Sequence, residues 1–491
     1  MLSFVLAAAL ASIASPAGPS PTAIRVMRST SGRHRYVRTE SEIRFAGVVG
    51  KEESIDDLAT GRYVDRISAG VLSSSSGFDG RRFWSADATG MPAVEQNAVQ
   101  RLDAFAWAHL FGRRGPEQPR MLRLHGRRGS LQLRLRFPAL PWPLDVTLDR
   151  ATGHVLAVDE VRSGDRTVVR YGDYRRFSDI VLPFRSETAG RYRVVRERVL
   201  TVALPAAVPD VTFAPPDPPD DVRLDGVTTI PLVLEDLQPI VPVRINGGPL
   251  LRVMFDSGST NYLKPAAARR LHLTLVGKAK SGGVGAGLVD ERYTNVARLR
   301  IGAAELRDQP FSVVDDRGMQ SDVDGVIGCE VLQRFAVRFD FARGVVDLTR
   351  DPERFSIGTP PIPLRLTSCT PEIDGALDGL RGPFSIDTGS GTALDVLAPF
   401  VRAHDLIARY HAAKLHVDGD GIGGAIMART ARARSLRLGN AERTNLPISL
   451  STMTAGAFAD ATQIGNVGIP VLMHYVLVFD YRTSRMWLLP R

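Results

Sequence analysis

The chain has 491 residues, of which 44% are apolar, and its formal net charge is +9. That length predicts about three domains. The cations are almost all arginine. This imbalance indicates the base composition of the genome rather than a nucleic-acid-binding surface, so no nucleic-acid partner is expected. A row of arginines within residues 120–136 is compatible with contact to phosphate or anionic lipid, the alternative being a solvated strand face.

The N-terminus predicts an export signal. Residues 1–11 form a short apolar run that small residues and prolines follow, and this run is too short to cross a bilayer. Residues 1–20 are therefore interpreted as a signal peptide, without a defined cleavage site, and the mature chain is expected to be periplasmic or secreted.

Residues 21–213 are predicted to form a β-rich module. Leu131, Leu133 and Leu135 alternate with polar residues, as in a half-buried strand, while residues 95–111 carry apolar side chains at helical spacing. Residues 77–84 (Gly-Phe-Asp-Gly with a following Trp) and 174–184 (Tyr-Arg and a later Leu-Pro-Phe) resemble segments of the bacterial lipoprotein-sorting carriers. That resemblance implies a half-barrel, a curved antiparallel sheet with a helix, which holds an apolar or lipid ligand. The alternative is a structural or propeptide-like module.

A spacer and two similar segments complete the chain. Residues 214–221 alternate Pro and Asp, which predicts an extended linker. Residues 222–352 and 353–491 then repeat the same parts in the same order. In each, an apolar strand runs into Asp-Ser-Gly or Asp-Thr-Gly, and an apolar-apolar-Gly segment and two further strands come later. Helices are predicted at residues 265–271 and 394–406.

With this order of parts, residues 225–491 resemble the retropepsin-like aspartic proteases of bacteria, as two fused lobes in the manner of pepsin. The resemblance implies a mainly β fold with two β-barrel lobes related by a pseudo-twofold axis, and it makes Asp256 and Asp387 the catalytic pair. Two carboxyls a few ångströms apart cannot both ionise, so one acts as an acid while the other activates a water. The supporting residues of the two loops are Ser257, Gly258, Thr388, Gly389, Gly328 and Gly468. The hydroxyls are expected to bond across to the opposite lobe, and the glycines allow close approach of the backbone.

Glycine-rich stretches follow each catalytic loop where retropepsin-like flaps lie. Flaps that close over a substrate exclude water and so strengthen the electrostatic interactions inside the cleft. The candidate flap residues are Gly283, Val284, Gly285, Gly421, Ile422 and Gly423. Neither stretch carries a tyrosine at its tip, so the contact that closes the flaps is not predicted.

The remaining reactive residues give weak signals. Cys329 and Cys369 are interpreted as two small buried residues, with a disulfide between them as the alternative. The histidines show no metal-ligand or triad spacing, so neither a metal nor an organic cofactor is expected.

These observations predict an exported aspartic endopeptidase that acts as a monomer on peptide or protein substrates. The alternative function is a non-catalytic exported binding protein, in which an apolar-ligand or lipid module is fused to an inactive peptidase-like pair of lobes.

Overall fold

The structure, a computed structural model, describes residues 27–29, 32–110, 120–127, 129–137, 140–162, 164–192, 194–316, 318–355 and 357–491. The interpretation of residues 1–20 as a signal peptide concerns a segment outside these ranges. The chain divides between Pro219 and Asp220 into two compact units, which we describe separately.

The first unit is a curved antiparallel sheet with one helix. Its strands are Arg28–Ser29 (β1), Tyr36–Phe45 (β2), Val48–Asp57 (β3), Tyr63–Ser68 (β4), Ser74–Phe78 (β5), Phe83–Ala86 (β6), Pro92–Val94 (β7), Arg120–Arg127 (β8), Ser130–Arg136 (β9), Leu144–Asp149 (β10), Val155–Arg162 (β11), Asp165–Phe177 (β12), Ile180–Ala189 (β13) and Val194–Ala203 (β14). The α-helix is Ala98–Leu110 (α1), and 3-10 turns occupy Gly70–Leu72 and Asp210–Phe213. The strand order is β7-β6-β5-β4-β3-β2-β14-β13-β12-β11-β10-β9-β8, with β1 pairing with β13.

The helix packs against one of the apolar clusters of this sheet. Along β10, Leu144, Val146 and Leu148 are buried and alternate with half-buried polar residues, the period of a strand with one face in a core. Ala106 of α1 belongs to the same apolar cluster, and Val99 and Leu102 of the helix pack against it. The predicted helix of residues 95–111 starts at Ala98 because the side chain of Asn97 caps it, accepting from the backbone N–H groups of Val99 (3.0 Å) and Gln100 (3.2 Å).

The second unit contains the two repeated segments, residues 222–352 and 353–491, which we call the first and the second lobe. The strands of the first lobe are Val222–Arg223 (β15), Val227–Pro231 (β16), Val233–Glu235 (β17), Gln238–Ile245 (β18), Leu250–Phe255 (β19), Tyr262–Leu263 (β20), Val276–Ser281 (β21), Val289–Ile301 (β22), Ala304–Val314 (β23), Gly325–Ile327 (β24), Ala336–Asp340 (β25) and Val345–Thr349 (β26). Those of the second lobe are Ile362–Pro363 (β27), Arg365–Thr367 (β28), Thr370–Leu377 (β29), Leu380–Ile386 (β30), Leu394–Val396 (β31), His416–Gly421 (β32), Gly424–Leu438 (β33), Ala441–Ser451 (β34), Gly465–Val467 (β35), Tyr475–Asp480 (β36) and Arg485–Pro490 (β37). The helices are Pro265–Arg270 (α2), Cys329–Leu332 (α3), Ala398–Ala403 (α4), Leu406–Arg409 (α5) and Ile469–Leu472 (α6), with 3-10 turns at Pro352–Phe355, Ala457–Ala459 and Tyr481–Thr483.

The two lobes are joined by a sheet to which both contribute strands. Each has its own large sheet, and a third sheet takes three strands from each lobe in the order β16-β26-β25-β36-β37-β27. Antiparallel pairing of β25 with β36 joins the lobes at its centre. Phe339 and Phe479, one from each lobe, meet edge to face with ring centroids 6.0 Å apart, within a single apolar cluster that spans both lobes. The two lobes therefore share one hydrophobic core.

The prediction of a helix over residues 394–406 is partly wrong. Leu394–Val396 forms β31, which lies between β34 and β35, and helices follow it only at Ala398–Ala403 and Leu406–Arg409. Pairing on both sides satisfies the backbone of β31, so the tertiary contacts override the local helical pattern. The helix predicted at residues 265–271 is present as Pro265–Arg270.

Cys329 and Cys369 form a disulfide, so the interpretation as two unpaired buried residues is wrong. Cys329 is buried at the start of α3, directly after Gly328, while Cys369 lies in the turn between β28 and β29 of the other lobe. Their Cα atoms are 5.8 Å apart. Their separation of 40 positions hides this proximity from the sequence, because only the packing of the two lobes brings the two segments together.

No helix in the described ranges is both long enough and apolar enough to cross a membrane.

Candidate active site

Both Asp-containing loops are built the same way. Asp256 follows β19 and Asp387 follows β30, and each of these strands lies parallel to the short strand that precedes a glycine, β24 or β35. The backbone N–H of Asp256 donates to Ile327 O, and that of Asp387 donates to Val467 O, at 2.9 Å in both cases. The repeat seen in the sequence is thus a repeat of backbone geometry around each carboxyl.

Gly328 and Gly468 lie directly against these loops. A Cβ added at Gly328 would be 2.2 Å from Ser259 O, and one added at Gly468 would be 2.2 Å from Thr392 O. Backbone atoms cannot yield as the end of a flexible side chain can, so only glycine fits at either position.

Ser257 and Thr388 tie the two loops together across the lobes. The Ser257 hydroxyl donates to Ile386 O (2.7 Å) and accepts from the N–H of Thr388 (3.0 Å). Reciprocally, the Thr388 hydroxyl donates to Phe255 O (2.8 Å) and accepts from the N–H of Ser257 (2.9 Å). Both side chains are buried, so these four bonds fix the position of one loop relative to the other.

As a result, each carboxyl lies against the glycine of the opposite loop. A Cβ added at Gly389 would be 2.4 Å from Asp256 Cγ, and one added at Gly258 would be 2.8 Å from Asp387 Cγ. Gly258 N–H donates to Asp256 Oδ1 (2.7 Å) and Gly389 N–H donates to Asp387 Oδ1 (2.8 Å). The pseudo-twofold arrangement therefore places two half-buried carboxyls next to each other, with a backbone donor for each.

The pair is suited to holding a single proton. Burial raises the pKa of Asp256 well above its ordinary value, and the charge of Asp387 and a hydrogen bond with it add to the effect. The N–H groups of Gly258 and Gly389 act in the opposite direction. A carboxyl that stays protonated beside a second carboxyl is the arrangement in which one group is an acid and the other a base.

Two polar residues of the second lobe escaped the sequence analysis. Asn466 Nδ2 donates to Asp387 Oδ2 (2.8 Å), and Asn466 Oδ1 accepts from the Ser385 hydroxyl (2.6 Å). The sequence did carry a signal for them. Where the first copy of the repeat has Met254 and Val326, both apolar, the second copy has Ser385 and Asn466.

The candidate flaps meet each other at their tips. Gly285 N–H donates to Ile422 O (3.0 Å), and Gly287 N–H donates to Gly423 O (2.6 Å). A Cβ added at Gly285 would be 2.3 Å from the backbone carbon of Gly423. Neither flap has a tyrosine at its tip, and the contact between the tips is instead made by the backbones of two glycine-rich turns.

The apolar residue of each tip packs on the opposite lobe. Ile422, from the second lobe, packs against a cluster in the first lobe that contains Met254 and Val326. Val284, from the first lobe, packs against Leu397, Met453 and Phe458 of the second lobe. The flaps therefore cross one another, and the second-lobe tip reaches a cluster whose Met254 is two residues from Asp256.

Within the described ranges, no three or more His, Cys, Asp or Glu side chains are arranged to hold a metal ion.

Comparison with known proteins supports the class of this site. The family model described as aspartyl protease matches residues 241–331, the part of the first lobe that includes Asp256, the first flap and Gly328. The resemblance to aspartic proteases expected from the sequence is confirmed at this level. No curated protein matches the chain.

Two solved structures are similar to parts of the chain. One is a LolA-superfamily protein from Nitrosomonas europaea, 13% identical, which covers 37% of this chain and 91% of its own with a TM-score of 0.28. The other is a retropepsin-like aspartic protease from Rickettsia conorii, 14% identical, which covers 23% of this chain and 78% of its own with a TM-score of 0.18.

Proposed function

We propose that this chain is an aspartic endopeptidase in which Asp256 and Asp387 activate one water for attack on a peptide bond. The observation that carries the proposal is the crossed bonding of Ser257 and Thr388, which seats each carboxyl against the opposite glycine. Two repeats that had diverged into unrelated binding lobes would not need bonds that hold the two carboxyls next to each other.

The geometry suggests how the reaction proceeds. The ionised carboxyl takes a proton from the water as its oxygen attacks the peptide carbon, and the protonated carboxyl gives its proton to the carbonyl oxygen. A diol results. A proton then passes from a carboxyl to the amide nitrogen as the C–N bond breaks, while the other carboxyl accepts a proton from the diol, so that the pair ends with one proton as it began.

The flaps and the sheet shared by the two lobes support the proposal that the whole second unit acts as one peptidase. Crossed tips exclude water from the cleft, and they must part for an extended peptide to enter. Because one chain supplies both carboxyls, we propose that a monomer is sufficient for activity.

Export of the chain is the second part of the proposal. A disulfide that joins two segments of a folded unit is typical of oxidising compartments, which supports a periplasmic or secreted location. For the first unit, an apolar or lipid ligand remains the proposed partner. Since α1 already packs against one apolar cluster of the sheet, a ligand at that cluster would require the helix to move.

The test is cleavage of an unfolded protein by the purified chain. We expect hydrolysis that pepstatin inhibits, that is bell-shaped in pH with an optimum on the acid side of neutral, and that Asp256→Asn abolishes. A folded chain that binds pepstatin but cleaves nothing would instead support the non-catalytic binding protein.

A further inference from the structure

The cleft differs in chemistry between its two sides. In the second lobe, β30, β35 and β31 are adjacent, and their register places Ser385, Asn466 and Asp395 in one row across the sheet. All three are buried. The row lies beside Asp387, since Ser385 is two residues before it and Asn466 contacts it.

The equivalent row of the first lobe is mostly apolar. There β19, β24 and β20 place Met254, Val326 and Tyr262 in register. The tyrosine hydroxyl bonds to Asp316 (2.6 Å), and the side chains of Met254 and Val326 have no donor to offer Asp256. The pseudo-twofold symmetry that relates the backbones is therefore broken at the positions that flank the two carboxyls.

The Asn466 amide lies with its oxygen towards Ser385 and its nitrogen towards Asp387. Ser385 Oγ lies 2.6 Å from Asn466 Oδ1 and 3.3 Å from Gly465 O, so its proton is directed to the amide oxygen. An amide whose oxygen accepts a proton presents its nitrogen to the neighbour on the other side, which is Asp387 Oδ2 at 2.8 Å.

The Asn466 amide is a side-chain donor to Asp387, and the apolar residue Val326 stands at the equivalent position of the first lobe. Gly258 and Gly389 give Asp256 and Asp387 equivalent backbone donors in their own loops. Asp256 also receives the N–H of Gly389 from the opposite loop, whereas Asp387 receives the side-chain amide of Asn466. A donor directed at a carboxylate stabilises the ionised form.

Resting on the proposed function, we propose that Asn466 is a positioning residue, which Ser385 orients, and that it keeps Asp387 as the ionised base and leaves the shared proton on Asp256.

Other titratable groups surround the pair. They are Asp395 on β31, Asp418 on β32 beside His416, Glu372 on β29, Tyr262 on β20 and Tyr481 after β36. Burial raises the pKa of Asp395 well above its ordinary value, and the charges of Asp418 and Asp387 add to this, so Asp395 stays neutral in mild acid. Burial likewise raises the pKa values of both tyrosines, which stay neutral as well. Glu372 accepts from Gln463 Nε2 (2.7 Å).

The first experiment compares pH profiles of kcat/KM for peptide hydrolysis. Asn466→Val copies the first lobe, and we expect its acid limb to move up by about one to two pH units, since losing a bond to a charged group has an effect of that size. The alkaline limb, which reports the loss of the second proton from Asp256, stays in place. Ser385→Ala moves the acid limb in the same direction by a smaller amount, because the amide then loses its orientation.

The matched control is Val326→Ala, which removes packing but no donor at the equivalent position of the first lobe. It leaves both limbs in place, whatever its effect on rate. An Asn466→Val profile that is merely scaled down, or a shift of the alkaline limb instead, would overturn the inference.

The second experiment needs no turnover. In the full chain labelled with carboxyl-13C aspartate, the resonances of Asp256 and Asp387 are those lost in the respective Asn variants. We expect Asp387 to ionise at lower pH than Asp256 and its midpoint to rise in Asn466→Val. If Asp256 ionises first, or if Asn466→Val leaves the Asp387 midpoint unchanged, the inference is wrong. A wild-type chain that cleaves nothing yet shows the expected order would contradict the proposed function alone.

Discussion

Cys329 and Cys369 join the two lobes directly behind the loop that contains Asp256. The N–H of Cys329 donates to Ser259 O (2.9 Å), so the disulfide braces the loop that carries Asp256 against the turn between β28 and β29. The bridge closes a loop of forty residues and therefore lowers the conformational entropy of the unfolded chain.

We therefore expect Cys329→Ser to lower the free energy of unfolding by about 3–4 kcal/mol, the chain-entropy value for a loop of this size. Denaturant unfolding with and without reductant measures it. The reductant should destabilise the wild type to the level of the variant and leave the variant unchanged. A wild type that is indifferent to reduction would show that the bridge adds nothing to stability.

The intrachain cleft predicts the behaviour of two single variants. Because Asp256 and Asp387 of one chain face each other, Asp256→Asn and Asp387→Asn should each remove nearly all hydrolysis. The measurement is the rate of peptide cleavage above that of the double variant. Clear residual turnover in both single variants, or recovery of activity when the two are mixed, would indicate that lobes pair between chains.

The raised pKa of Asp256 predicts how stability varies with pH. As pH rises above the ordinary aspartate value, about 3.9, the unfolded chain releases the Asp256 proton while the folded chain retains it, so the wild type loses stability. The Asp256→Asn variant has no carboxyl at this position, so it does not lose stability in this way as pH rises. The variant should therefore melt several degrees above the wild type near neutral pH and at a similar temperature in strong acid.

The contrast for this measurement is Asp290→Asn. A hydrogen bond from Lys280 lowers the pKa of the exposed Asp290 carboxyl, so any effect of this change has the opposite sign and is small. Equal melting temperatures for Asp256→Asn and the wild type at every pH would contradict the retained proton.

The flap contact predicts that Gly285→Ala impairs catalysis without unfolding the protein. A Cβ at Gly285 would be 2.3 Å from the backbone of Gly423, so the tips cannot close as they do here. We expect kcat/KM to fall by about 10-fold or more, as for other disturbed closures, while the melting temperature changes little. Gly419→Ala is the control in the neighbouring strand, because the added methyl meets only the end of Ile426 at 3.6 Å. Equal activity of the two variants would show that tip contact is unimportant.

The contacts of Asp221 predict where an independent second unit must begin. Asp221 Oδ2 accepts from Arg334 Nε (2.8 Å) and Nη2 (2.6 Å) and from Gln309 Nε2 (2.9 Å), and the Arg334 side chain is only 1% exposed. A fragment that starts at Asp220 should fold. A fragment that starts at Val222 leaves a buried guanidinium without its carboxylate, which costs about 3–5 kcal/mol. Calorimetry of the two fragments decides, and equal stability would mean that the other contacts of Arg334, such as the bond from Nη1 to Glu330 O (2.9 Å), are sufficient.

The repeated parts of the second unit could be predicted from the amino-acid sequence alone. Two strands that end in Asp-Ser-Gly and Asp-Thr-Gly, and two later glycines, predicted where the carboxyls and their loops would lie, because a tight loop and a close backbone approach each require particular residue types at particular positions. The β-rich first module and its helix followed from periodicity for the same local reason. The flap stretches were found in the sequence, yet how their tips meet was not.

Features that depend on pairing between distant segments became visible only in the folded chain. Cys369 reaches Cys329, Val284 and Ile422 pack across to opposite lobes, and residues 394–396 form a strand because two neighbours bond to them. The role of Asn466 belongs here too, although the difference from Val326 was visible in the repeat. A residue type states what a side chain can donate or accept, and the register of the strands decides which partner it meets.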